Sequence, residues 1–147
     1  MIREATRSPL EIAGELRQAV LRLARNLRRE TDALGVTSHQ ATLLALVDGQ
    51  PGLSLRQLAH AEGISAPSLS GHVDRLETAG LLRRVRSEDD RRRVGLELTP
   101  EGRAILRRVR ARRTTWLADR LAHLTDEDRE RIEQALPALH KMLEPRP

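Results

Sequence analysis

The chain has 147 residues, 39% of them hydrophobic and 32% charged, with a formal net charge of +5. That balance belongs to a globular chain long enough to bury a core, not to a disordered one. The absence of cysteine excludes disulfides, thiolate metal sites and thiol redox sensing. No apolar run approaches the ~18 residues of a spanning helix, and the N-terminal stretch lacks the apolar core of a signal peptide, so a soluble, cytoplasmic protein without membrane contact is expected.

Trp116 is the only aromatic residue apart from the histidines. A core of Leu, Ala, Val and Ile favours helices over sheets, because strands are enriched in aromatic and β-branched residues. All basic residues except Lys141 are arginines, and an excess of clustered cations suits a polyanionic partner through counterion release.

Ser8-Pro9 opens the first periodic segment, serine as N-cap and proline in the first turn. Leu16, Val20, Leu23 and Leu27 follow in steps of four and three, with Leu10, Ala13 and Leu34 extending the stripe and Arg17 among the arginines on the other faces. The stripe is that of a pairing seam, which makes 8–34 a dimerisation helix. Gly35-Val36 breaks the pattern, and either Thr37 or Ser38 can cap a second helix running to Val47, where Asp48-Gly49-Gln50-Pro51-Gly52 stops it.

Ser54-Leu55-Arg56-Gln57 is a capping box that starts a short helix ending near Gly63. Ser65 opens the next, with Pro67 in its first turn, and Gly80 closes it. Two short helices about a tight turn form a helix-turn-helix. Leu81 to Val85 and Val94 to Leu98 can then pair as strands about a charged tip, Arg86 to Arg93. A hairpin directly after the second helix is the order of a winged helix, and it assigns 36–98 to one lobe.

Thr99-Pro100 starts a helix to about Ala122. Thr125 caps a last one carrying Ile132, Leu136, Leu139 and Leu143, in which Pro137 is expected to produce a bend. Residues 99–144 are expected to be C-terminal helices whose apolar Leu136, Leu139 and Leu143 could join Leu16, Val20 and Leu23 in a seam. The expected fold is mainly α with a small two-stranded wing.

A recognition helix needs small, hydrogen-bonding residues on its leading turns so that its backbone can approach base edges in the major groove. Ser65, Ala66, Pro67, Ser68, Ser70 and His72 provide them, while Leu69, Val73 and Leu76 face inward. Taken alone, this is equally a well-capped core helix. The hairpin adds Arg91, Arg92 and Arg93 at its tip and Arg83, Arg84 and Arg86 at its base, guanidinium groups of the kind that a narrow minor groove attracts. Arg56, on the first helix of the motif, completes the candidate DNA contacts.

Leu76-Glu-Thr-Ala-Gly80-Leu81-Leu82-x-Arg84, then Asp90-Arg91-Arg92, then Leu98-Thr99-Pro100-x-Gly102, resembles the multiple-antibiotic-resistance regulator (MarR) family of winged-helix transcription factors. The resemblance extends over nearly the whole chain and implies that the helices of 99–144 are C-terminal dimerisation helices. It implies a homodimeric, sequence-specific regulator of transcription, a repressor, bound to a pseudo-palindromic operator in double-stranded DNA. It also implies that Arg92 is the wing-tip arginine of the minor groove, and that Asp74 and Asp90 orient recognition helix and wing through ion pairs. Gly71 departs from the family pattern, where many members carry a basic residue. A small anionic or aromatic effector, with His39, Arg17, Arg84 and Trp116 as candidate lining residues, is a further implication.

No catalytic triad order, glycine-rich phosphate loop or metal motif is present, and the five histidines show no tight ligand spacing. No enzyme activity, cofactor or metal is expected. The alternative is an architectural or protein-interaction winged helix with little sequence choice.

Overall fold

A computed structural model of the chain describes residues 7–87, 89–90 and 92–145. Six helices and three short strands follow in the order α1 (Pro9–Asp32), α2 (Ser38–Gly49), β1 (Leu53–Ser54), α3 (Leu55–Glu62), α4 (Ala66–Thr78), β2 (Leu82–Arg86), β3 (Val94–Leu98), α5 (Pro100–Ala122) and α6 (Asp126–Leu143). They divide into two compact units, one ending at Arg113 and the other starting at Thr114.

Side-chain caps fix where the helices begin. Ser8 with Glu11, Thr37 with Gln40 and Ser54 with Gln57 each form a reciprocal capping box. In each pair two otherwise orphaned amides are satisfied. Thr37, not Ser38, is therefore the cap of α2. The α3 helix ends on Gly63, whose left-handed conformation (φ 65°) is strained for a residue with a Cβ; Ser65 then accepts the amide of Ser68 to start α4.

The core of the first unit is aliphatic, as the composition requires. Leu43, Leu44 and Val47 of α2, Leu58 of α3, and Leu69, Val73 and Leu76 of α4 pack with Leu82, Leu96 and Leu98 of the sheet and Leu106 of α5. Each such burial contributes roughly 2 kcal/mol. Thr31 at the end of α1 is fully buried; its hydroxyl donates to the Leu27 carbonyl and accepts from Arg113 Nε at 2.9 Å.

The expected hairpin is present, but its sheet has three strands rather than two, in the antiparallel order β1-β3-β2. Leu53 pairs with Leu96 and Ser54 with Gly95. A two-residue strand has no periodicity of its own, so only its tertiary partner reveals it. The β2 strand also starts one residue later than expected, with Leu82 opposite Leu98 and Arg86 opposite Val94. This register places Leu82, Leu96 and Leu98 in the core.

Two glycine contacts lock the sheet to its surroundings. A Cβ on Gly95 would stand 2.7 Å from the Gly52 carbonyl oxygen, while the Gly52 amide donates to Leu96 at 3.0 Å. A Cβ on Gly102 would overlap the Leu81 carbonyl oxygen and lie 2.9 Å from its carbon. That oxygen also accepts the Thr99 amide at 3.2 Å, and the Thr99 hydroxyl donates to Gly80 at 2.6 Å and accepts from the Gly102 amide at 3.0 Å. The Gly80-Leu81 and Thr99-x-x-Gly102 segments thus form one knot joining the end of α4, the end of the wing and the start of α5.

In the second unit α6 is a continuous helix through Pro137, with none of its residues buried. Ile132, Leu136 and Leu143 are among the exposed large apolar residues, as are Val20 and Leu23 of α1 in the first unit.

Candidate nucleic-acid interface

The α3–α4 pair and the β2–β3 hairpin carry most of the candidate DNA contacts. On α4, Leu69, Val73 and Leu76 are buried, and helical spacing turns the opposite face outward. Ser65, Ala66, Pro67 and Ser68 are exposed at its start, with the Ser65 hydroxyl donating to Ser68 at 2.9 Å. Ser70 and His72 are half-buried. The His72 ring meets His39 of α2 edge-on, with centroids 4.6 Å apart, so this side chain makes an intramolecular contact.

The outward face also carries Arg75, exposed and without an ion pair among the described residues. Sequence reasoning did not nominate it, although its position one residue before the buried Leu76 was the available signal. Gly71 lies on the same face, with open space where a Cβ would stand, so a longer side chain has room there.

The wing is tied to the recognition helix through Arg84. Its guanidinium donates to Asp74 at 2.7 Å and to Glu77 at 2.9 Å, and these carboxylates, Asp74 first, push its pKa further above the usual guanidinium value. Arg84 is therefore a brace from β2 to α4. The carboxylates are substantially exposed, so the brace stabilises the lobe by at most about 1 kcal/mol. Arg84→Gln is expected to change the melting temperature little while accelerating amide hydrogen exchange in β2 and β3, measured by mass spectrometry.

At the tip, Asp90 shapes the turn. Its carboxylate accepts the Arg92 amide at 3.0 Å and lies 3.9 Å from Arg93 Nε; its carbonyl accepts the Arg93 amide and Ser87 closes on the Arg93 carbonyl, both at 2.9 Å. This side-chain-to-backbone turn leaves the Arg92 and Arg93 side chains in solvent. Arg91 lies outside the described residues. Arg56 is exposed on the first turn of α3.

The candidate effector residues each have their own surroundings. His39 stands 3.9 Å from Glu62 and against His72, Arg84 is held by its two carboxylates, and Arg17 is exposed. Trp116, in the second unit, lies under the Arg120 guanidinium, 5.1 Å from the ring centroid. Among the described residues no cluster of three or more His, Asp or Glu residues could hold a metal ion. No described helix is long and apolar enough to cross a membrane.

A family model described as "MarR family" matches residues 34–93, the span from the entry into α2 to the wing tip. The chain is 30% identical over 138 residues to the HTH-type transcriptional regulator PecS of Dickeya dadantii, covering 92% of this chain and 83% of that protein. Among solved structures, a transcriptional regulator protein from Pseudomonas aeruginosa superposes with a TM-score of 0.81 at 29% identity, over 97% of this chain and 100% of that one. A Staphylococcus aureus MepR mutant bound to an oligodeoxyribonucleotide shares the fold, with a TM-score of 0.69 at 20% identity over 90% of this chain and 98% of that one.

Proposed function

The chain belongs to the MarR family, and from that premise we propose that this transcriptional regulator acts as a homodimeric repressor that reads a pseudo-palindromic duplex. The observation that carries the reading is the pairing, in one compact unit, of an outward-facing α4 with a wing whose tip presents Arg92 and Arg93 on a turn built by Asp90. Helix α4 enters the major groove with Ser65, Ala66, Pro67, Ser68 and Ser70 leading, and Arg92 enters the adjacent minor groove. The oligonucleotide-bound MepR mutant supports the reading as a protein of the same fold in contact with DNA.

The homodimer rests on the uncovered apolar residues of α1 and α6. Val20 and Leu23 are 51% and 41% exposed, and Leu136 and Leu143 are 45% and 76% exposed. Apolar residues repeated at helical spacing without cover mark an association surface. A two-fold axis would set two copies of α4 about one helical turn apart, ~34 to 36 Å. A dimer seated on a promoter in this way obstructs polymerase, which is the physical content of repression.

The test is Arg92→Ala. Its operator affinity is expected to fall roughly tenfold or more, with a shallower dependence on salt, while the dimer persists. Affinity unchanged by the substitution would refute the wing assignment. A ratio near one between operator and random duplex for the wild type would favour an architectural role.

A further inference from the structure

Between the wing and the start of α3 lies an open cleft of about 1000 Å³. Arg56 stands on its α3 wall, and Arg86, Arg92 and Arg93 on its wing wall. Among the described residues that line it, the one carboxylate, Glu97, is already engaged by Arg83 at 3.1 Å across the strand pair. Arg93 has only a distant contact, 3.9 Å, with Asp90. Among the described residues Arg56, Arg86 and Arg92 have no ion pair. Gly52 and Gly95, whose backbones meet closely, line the cleft between the two walls.

Four guanidinium groups around one concavity repel one another, and among the described residues the carboxylate that lines it is already committed to Arg83. An anion carrying several charges in a row would relieve that repulsion. The proposed docking identifies one. If α4 lies in the major groove and the wing in the adjacent minor groove, the sugar-phosphate strand that divides those grooves must pass between them. The first helix of a helix-turn-helix crosses the backbone, which brings α3 and its Arg56 to the same strand from the other side.

We infer that this cleft seats consecutive phosphates of the groove-dividing strand, gripped by Arg56 from α3 and Arg86 from the wing. The inference rests on the DNA-binding reading and adds a clamp that is indifferent to base sequence: it sets the register of the lobe on the duplex, while α4 and Arg92 choose the sequence.

The experiment uses the full chain with Arg56→Gln, Arg86→Gln and the double variant, titrated against operator and random duplex at several salt concentrations. Each single variant removes one phosphate contact from each lobe of the dimer, so it is expected to bind both duplexes roughly tenfold or more weakly and to lower the salt slope by about 1.8. The double variant should lower it by about twice that, and the operator-to-random ratio should stay constant. Gln57→Glu is a second probe, because glutamate at that position preserves the capping box with Ser54 while adding an acid to the cleft. It too should weaken both duplexes equally, with an unchanged melting temperature.

Unchanged slopes in all these variants, with Arg92→Ala still impaired, would overturn the clamp and leave the DNA-binding reading standing. A loss confined to operator DNA would overturn it by making Arg56 and Arg86 base readers. A wild-type protein that binds no duplex, yet retains inorganic tripolyphosphate lost on Arg56→Gln and Arg86→Gln, would refute the DNA reading and the clamp alike. It would assign the cleft to a free polyanion.

Discussion

Gly102→Ala is expected to lower stability by about 3 kcal/mol, among the largest effects of any single methyl group added to this chain. The added carbon would overlap the Leu81 carbonyl oxygen. That oxygen cannot simply retreat, because it accepts the Thr99 amide, and Thr99 in turn bridges the Gly80 carbonyl and the Gly102 amide. Shifting Leu81 also disturbs its neighbour Leu82, which is buried in the core. Chemical denaturation followed by circular dichroism measures the loss. A difference under about 0.5 kcal/mol would show that α5 can slide away from the wing.

The second large effect is on assembly. Glutamate at both Val20 and Leu23 should weaken the homodimer by a factor of about 1000 or more. Burying an unpaired charge costs several kcal/mol, and a two-fold axis repeats every substitution across the interface. Both positions are substantially exposed in the single chain, so the fold of the lobe should survive and the melting of its core change little. Sedimentation velocity reads the dissociation directly. A species that remains dimeric would move the seam away from α1, and Leu136→Glu would then test α6 alone. Operator affinity should fall with the dimer, because one lobe reads only half of a palindrome.

The sequence signals that proved legible were local ones. The caps Ser8, Ser54, Ser65 and Thr125 need only a hydroxyl a few residues ahead of an amide, and each helix begins where its cap stands. The inward set Leu69, Val73 and Leu76 follows from helical spacing. What stayed hidden depends on partners far along the chain. The β1 strand exists only because Leu96 and Gly95 pair with it. The direction of His72 depends on His39, which comes from α2. Arg113 is held at Thr31 and Ser38, more than seventy residues away.

The Leu-Thr-Pro-x-Gly run was visible as a pattern without its reason, which is the backbone contact between Gly102 and Leu81. For the candidate interface, the sequence showed which residue types were present at the wing. The structure adds that Arg84 is braced to α4 while Arg56, Arg86 and Arg92 stand around a common cleft.

The stacking of Arg120 on Trp116 gives the chain an optical probe. Trp116 is its single tryptophan and there is no tyrosine, so ultraviolet emission comes from one indole per chain, located in the second unit. Emission will register when the guanidinium leaves that ring, and it will be blind to changes confined to the wing or to α4. Circular dichroism, by contrast, sees every helix. Denaturation curves from the two signals that coincide would show the units melting as one cooperative body, and curves that separate would time the loss of each.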